Sequence, residues 1–223
     1  MRSFAGQVVQ FNSNLNLKFD LPDVEVMNPF LIPEAQKLTE QFYHKFYNDS
    51  RKRHFIFGIN PGRFGAGITG IPFTDPVRLE SQCGLVNPFK KKPELSSVFI
   101  YELIAAYGGV QLFYSDFFIT AVSPLGFTSH GKNLNYYDDK KLMIALENFI
   151  VGSIKSQIKF GAYTDRCYCL GDGKNFSYLN KLNGVNRFFK SVIPLPHPRF
   201  IMQYRLKQKD DFIKMYLEAF RNL

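Results

Sequence analysis

The sequence predicts an α/β fold, a three-layer domain whose central, mostly parallel four-stranded sheet is flanked by helices. Two observations lead there. Four short runs, His54–Ile59, Phe117–Val122, Cys167–Leu170 and Val192–Leu195, are almost continuously apolar, aromatic or β-branched, the pattern of strands buried on both faces. Segments with helical spacing separate them, and alternation of strand and helix marks a layered α/β architecture. With 223 residues, 45% of them hydrophobic, the chain can bury the core of one compact domain spanning 1–223.

Taken in order, residues 1–32 alternate apolar and polar side chains without a strong helical period and carry Asn and Pro punctuation. They are expected to wrap the domain as an extended N-terminal arm. Pro33 suits a first helical turn, and Leu38, Phe42, Phe46 and Tyr47 continue the spacing to about Asn48. The basic cluster Arg51–His54 follows. Such a cluster can touch phosphate or serve as a nuclear address, but past a helix C-terminus it more simply complements the helix dipole. Between and after the four strands come helical patterns at 95–107, 138–158, 174–182 and 207–221. In such sheets a ligand binds at the carboxyl ends of the strands. Those ends read Asn60-Pro61-Gly62, Ser123-Pro124, Gly171-Asp172-Gly173 and His197-Pro198-Arg199, so polar and Gly/Pro chemistry collects where the fold puts a site.

Lys and Arg number 28 against 19 Asp and Glu, a net charge of +9, which favours an anionic partner such as nucleic acid or a lipid surface. Cys83, Cys167 and Cys169 cannot supply the four thiolates of an iron–sulfur cluster or of an all-thiolate zinc site, so a metal cofactor is not indicated. No other cofactor is expected. The odd number of cysteines suggests a reducing compartment, and Cys167 and Cys169, in an apolar run, read as buried, inert thiols. No stretch approaches the about 18 consecutive apolar residues of a membrane span, and Met1-Arg2-Ser3-Phe4 lacks a signal-peptide core. The expectation is a soluble intracellular monomer without a membrane partner.

The most informative segment is Gly58–Phe73, whose glycines let backbone approach a ligand and whose free N–H groups can hold a phosphate or a carbonyl oxygen. The spacings of a P-loop and of a dinucleotide-binding loop are both absent from it. Instead, Gly58-Ile59-Asn60-Pro61-Gly62, then Phe64-Gly65, then Thr69-Gly70-Ile71-Pro72-Phe73 resembles the first motif of the single-strand-selective monofunctional uracil-DNA glycosylases, a divergent branch of the uracil-DNA glycosylase superfamily. Ser123-Pro124-Leu125 with Gly131-Lys132-Asn133-Leu134, and Leu195-Pro196-His197-Pro198-Arg199, resemble that family's later blocks in the same order. The resemblance runs from about residue 28 to the C-terminus.

The resemblance implies a uracil-DNA glycosylase-like fold and a DNA repair enzyme that flips uracil or a related damaged pyrimidine out of DNA and hydrolyses its glycosidic bond, leaving an abasic site. It implies that Asn60 orients the catalytic water and that His197 donates a hydrogen bond to the departing base. Gly62, Phe73 and Ser123 would bind the base, Phe73 by stacking. Arg199 would enter the duplex; apart from the resemblance, the positive charge of Lys132 and Arg205, and of Arg63 beside the water-positioning loop, is expected to hold the DNA backbone. A lyase needs a lysine amine, and no lysine falls in the first or the last motif, so hydrolysis without strand cleavage is implied.

Three positions depart from the family pattern. Ala121 stands where an Asn usually reads the uracil edge, which turns attention to Ser123 or backbone amides and opens space for 5-substituted or other bases. The second motif is shortened to His197-Pro198-Arg199, and Arg63 replaces a proline. These departures also suit an alternative, a glycosylase-fold DNA-binding protein with altered base specificity or little turnover. A small-molecule hydrolase is a more distant alternative. The cellular place would be the bacterial cytoplasm, on the nucleoid, or a eukaryotic nucleus.

Overall fold

The computed structural model describes residues 2–19 and 21–221. Its centre is a four-stranded sheet of β2 (Arg53–Gly58), β3 (Phe117–Ala121), β6 (Ala162–Leu170) and β7 (Ser191–Leu195). The order is β3-β2-β6-β7 and every pairing is parallel, so the four apolar runs form the expected sheet. Every residue of β2 and β3 is buried, which requires cover on both faces. The chain starts in β2, steps to β3 on one side and later to β6 on the other. The crevice at the carboxyl end of β2 is therefore the topological switch point, where an open α/β sheet takes its ligand.

The helices are α1 (Phe4–Ser13), α2 (Pro33–Phe46), α3 (Ala66–Thr69), α4 (Pro76–Ser81), α5 (Leu95–Tyr107), α6 (Val110–Asp116), α7 (Lys140–Ile158), α8 (Lys174–Asn186), α9 (Pro198–Tyr204) and α10 (Lys209–Arg221). Residues 4–13 correct the expectation of an extended arm. Ser3 caps α1 by accepting from the Gly6 N–H, and Phe4, Ala5, Val8 and Asn12 share the buried face. A helix of this length is marginal alone. What holds it is tertiary: the Phe4 ring packs on Tyr47 at 5.5 Å and on Phe118 at 5.1 Å, and the Arg53 guanidinium lies 4.7 Å from its centroid.

Arg53 also corrects the reading of the basic cluster. It is fully buried, gives two hydrogen bonds of 2.9 Å to the Asp49 carboxylate and one of 2.8 Å to the Tyr114 carbonyl, and packs against the rings of both Phe4 and Tyr47. It is a structural cation with its donors satisfied, neither a phosphate ligand nor a dipole complement. The three cysteines are buried free thiols.

A second, antiparallel sheet, β1 (Glu25–Met27), β4 (Gly126–Ser129) and β5 (Lys132–Leu134), runs in the order β1-β4-β5. The β4–β5 connection is His130-Gly131, both at positive φ (47° and 69°), the conformation of a tight two-residue hairpin turn. This small sheet braces the loop after β2, and a Cβ on Gly126 would strike the Pro61 carbonyl.

Candidate active site

Beyond β2 the chain turns at Asn60, and the side-chain amide is fixed from two sides. Its Oδ1 accepts from the Tyr136 N–H at 3.1 Å, while Nδ2 donates to the Leu134 and Pro61 carbonyls, each at 3.3 Å. These partners settle which end of the amide is which. Behind the turn, the Tyr136 hydroxyl donates to Asn175 Oδ1 at 2.7 Å, and Asn175 Nδ2 donates to the Leu170 carbonyl at 2.9 Å and reaches the Gly58 carbonyl at 3.4 Å. Asn175, buried in the first turn of α8, thus ties the ends of β2 and β6 to the element that holds Asn60.

Phe73 lies across the cleft floor. Its φ of 52° is unusual for an aromatic residue, and the loop after Gly70 imposes it. Gly58 is what lets the ring lie so close: a Cβ there would stand 2.7 Å from Phe73 Cε2. The His197 ring faces Phe73 at a centroid distance of 5.9 Å. His197 caps α9, and its Nδ1 accepts from the Arg199 N–H at 3.1 Å. A ring that accepts at Nδ1 carries its proton on Nε2. Burial, helped by the Arg199 charge, pushes the imidazole pKa down to about 4, so His197 is a neutral donor at physiological pH.

One cleft of about 440 Å³ gathers these parts. The turn after β2 and the His197 loop both line it, together with Gly62, Phe73, Ala121 and Arg199. None of its lining residues is a lysine, and none of the three cysteines reaches it.

The uracil DNA glycosylase superfamily profile matches residues 44–221. The chain belongs to that superfamily. Among solved structures, SMUG2 of Pedobacter heparinus is 47% identical, with a TM-score of 0.97 and coverage of 100% of this chain and 98% of that one. The glycosylase-like fold and the SMUG-type resemblance of the motifs both agree with this match.

Within this glycosylase superfamily member, the structure sorts the residues singled out from sequence. Asn60, Gly62, Phe73, His197 and Arg199 share the cleft. Ser123 does not: it is fully buried and its hydroxyl donates to the Leu125 carbonyl at 2.9 Å, so it is spent on the turn. Arg63, Lys132 and Arg205 are exposed outside the cleft lining. The Arg63 guanidinium bonds the Gly131 carbonyl and lies 4.7 Å from the Phe64 centroid, while Arg205 lies 5.7 Å from that of Phe200.

Asn133, on β5 within the Gly131–Leu134 block, also lines the cleft, and sequence reasoning missed Glu94 and Ser96 at the start of α5, Asn135 after the hairpin, and Phe200, Gln203 and Tyr204 on α9. Only the last group carried a local signal, the spacing of Phe200 and Tyr204 by four residues on one helical face.

Proposed function

We propose that the protein is a monofunctional DNA glycosylase that hydrolyses the N-glycosidic bond of uracil, or of a related damaged pyrimidine, in DNA. The observation that carries this reading is a neutral histidine donor, a backbone-strained aromatic ring and a rigidly held amide facing one cleft. An enzyme acting on a base must take it out of the stack, and the flipped base would lie on Phe73. As the C1′–N1 bond breaks, its electron pair leaves with the base, and negative charge gathers on the base carbonyl oxygens. The His197 Nε2–H meets that charge as a donor, worth about 3–4 kcal/mol when aimed at the developing anion.

Asn60 is an amide and takes no proton, so it acts by holding water. Its oxygen accepts one bond from Tyr136 and keeps a second lone pair for a water molecule. That water adds to the cationic sugar carbon, releases a proton to solvent, and the products are a free base and an abasic site. The absence of a cleft lysine supports hydrolysis over Schiff-base chemistry. Arg199 at the cleft, with Arg63, Lys132 and Arg205 exposed on the surface, supports a cationic track for the DNA backbone, and we propose that the protein works as a monomer.

A uracil-containing oligonucleotide, incubated with the protein and then treated with alkali, is expected to break at the uracil and to stay whole without alkali. Retained binding with no alkali-labile site would overturn hydrolysis. It would favour instead a DNA-binding protein with little turnover, the reading suggested by Ala121 in the cleft wall.

A further inference from the structure

Base recognition in this cleft is incompletely assigned by the groups above. His197 meets one carbonyl and Asn60 serves the water, while Ala121 offers only a methyl and the Ser123 hydroxyl is turned away. Among the polar side chains of the wall that make no hydrogen bond with the described residues are two at the start of α5, Glu94 and Ser96. Ser96 is 4% exposed and lines the cleft, yet its hydroxyl has no hydrogen-bond partner among the described residues. Glu94 occupies the cap position of α5, but its carboxyl does not cap the helix. It lies over the glycine loop: a Cβ on Gly62 would stand 3.7 Å from its Oε1, and one on Gly65 would collide with its Oε2. Polar groups left without partners in a concave site call for a ligand that satisfies them.

We propose that Glu94 and Ser96 are the specificity-determining residues of the base pocket, hydrogen-bonding the ring N–H and carbonyl or hydroxyl substituents of the extruded base that Ala121 cannot engage. The inference rests on the glycosylase reading and deepens it. Burial first, and then the carboxylate of Asp75, push the Glu94 carboxyl up to about 7, with Arg199 pulling the other way. Asp75 faces it from the cap of α4, where Arg78 lies 3.6 Å from its carboxylate, and Glu94 donates its own N–H to Asp75 at 2.8 Å. Arg199 faces it from α9, beside the neutral His197.

Above that pKa Glu94 is a carboxylate that accepts from a ring N–H. Below it, the carboxylic acid also donates to a carbonyl. The Ser96 hydroxyl does both at any pH. A wall whose donor pattern changes with protonation selects among bases differently on the two sides of neutrality.

The test is single-turnover release of uracil, 5-hydroxymethyluracil, xanthine and hypoxanthine by the wild type, Glu94→Gln and Ser96→Ala, each across the neutral pH range. Rate ratios between bases are expected to shift by at least about fivefold in each variant, within what one polar contact contributes to discrimination. The wild-type ratios among uracil, 5-hydroxymethyluracil and hypoxanthine, whose own ring N–H groups titrate well above neutrality, should also change with pH around neutrality, and those of Glu94→Gln should not. Ratios within about twofold of wild type in both variants, with the pH dependence retained, overturn the assignment even if all rates fall together through lost stability. A wild type that releases none of the four bases fails the glycosylase reading itself, and this inference with it. Release with unchanged ratios sinks the pocket assignment alone.

Discussion

His197 shows how one cap bond sets the chemistry of a residue. The Arg199 N–H occupies Nδ1, so the proton sits on Nε2, and the surroundings keep the ring uncharged. A neutral donor suits a site where the base leaves as an anion, because no proton need be carried in beforehand. The ring should therefore titrate near 4 and not near the ordinary 6.5, with the Nε2–H tautomer persisting above; histidine-selective nitrogen NMR reads both. Linkage follows the same sign. Below pH 6.5 the unfolded chain takes up a proton that the folded one refuses, so this group lowers stability progressively as pH falls toward about 4. Asn60→Ala and His197→Ala are each expected to slow single-turnover base release at least roughly tenfold, with DNA affinity nearly intact. A rate unchanged in folded protein would remove the residue from the site.

At the scale of elements, α9 does more than present His197. Phe200 and Tyr204 stand one turn apart on its exposed side, 43% and 63% exposed, with ring centroids 5.7 Å apart, and both line the mouth of the cleft. Arg205 lies over the first ring and Arg199 precedes it in the chain. Aromatic faces flanked by cations suit bases that have left the stack, at about 1–3 kcal/mol per stacked base. The double variant Phe200→Ala/Tyr204→Ala should bind single-stranded oligonucleotides about tenfold or more weakly, while base release at saturating protein changes little. Equal affinity in a fluorescence anisotropy titration would show that the pair does not touch DNA.

At the scale of the molecule, the far end of the sheet is held by charge and the near end by amides. Arg53 opens β2 from full burial, and Asp49 supplies its counter-charge. Desolvation pushes the Asp49 carboxyl up, but hydrogen bonds from Arg53 and Arg51 outweigh it and hold the pKa at about 2. Asp49→Ala leaves a buried guanidinium without its partner and is expected to cost about 3–5 kcal/mol, read as a lower urea midpoint with an unchanged slope. A loss below about 1 kcal/mol would mean that the Tyr114 and Arg51 carbonyls hold the cation by themselves. At the opposite end, Asn175 and Tyr136 connect strand ends to the Asn60 turn, so the rigidity of the site belongs to the core.

Much of this was legible in the chain itself. The four central strands could be read because parallel strands covered on both faces need unbroken apolar runs, and the ends of those runs located the Asn60 and His197 loops. α1 escaped notice because its ten residues carry a short pattern whose burial depends on Tyr47, Arg53 and Phe118, far away in sequence. The small sheet escaped because strands of three or four residues mix polar and apolar positions and gain stability only from one another. The fold class, the loops bearing the site and the identities of Asn60, Phe73 and His197 were thus set by local pattern and motif. Tertiary structure alone decided that Glu94 and Ser96 face the cleft. The direction of a polar side chain follows from backbone torsions and competing partners brought together by folding, and neither is written in the residue's neighbours along the chain.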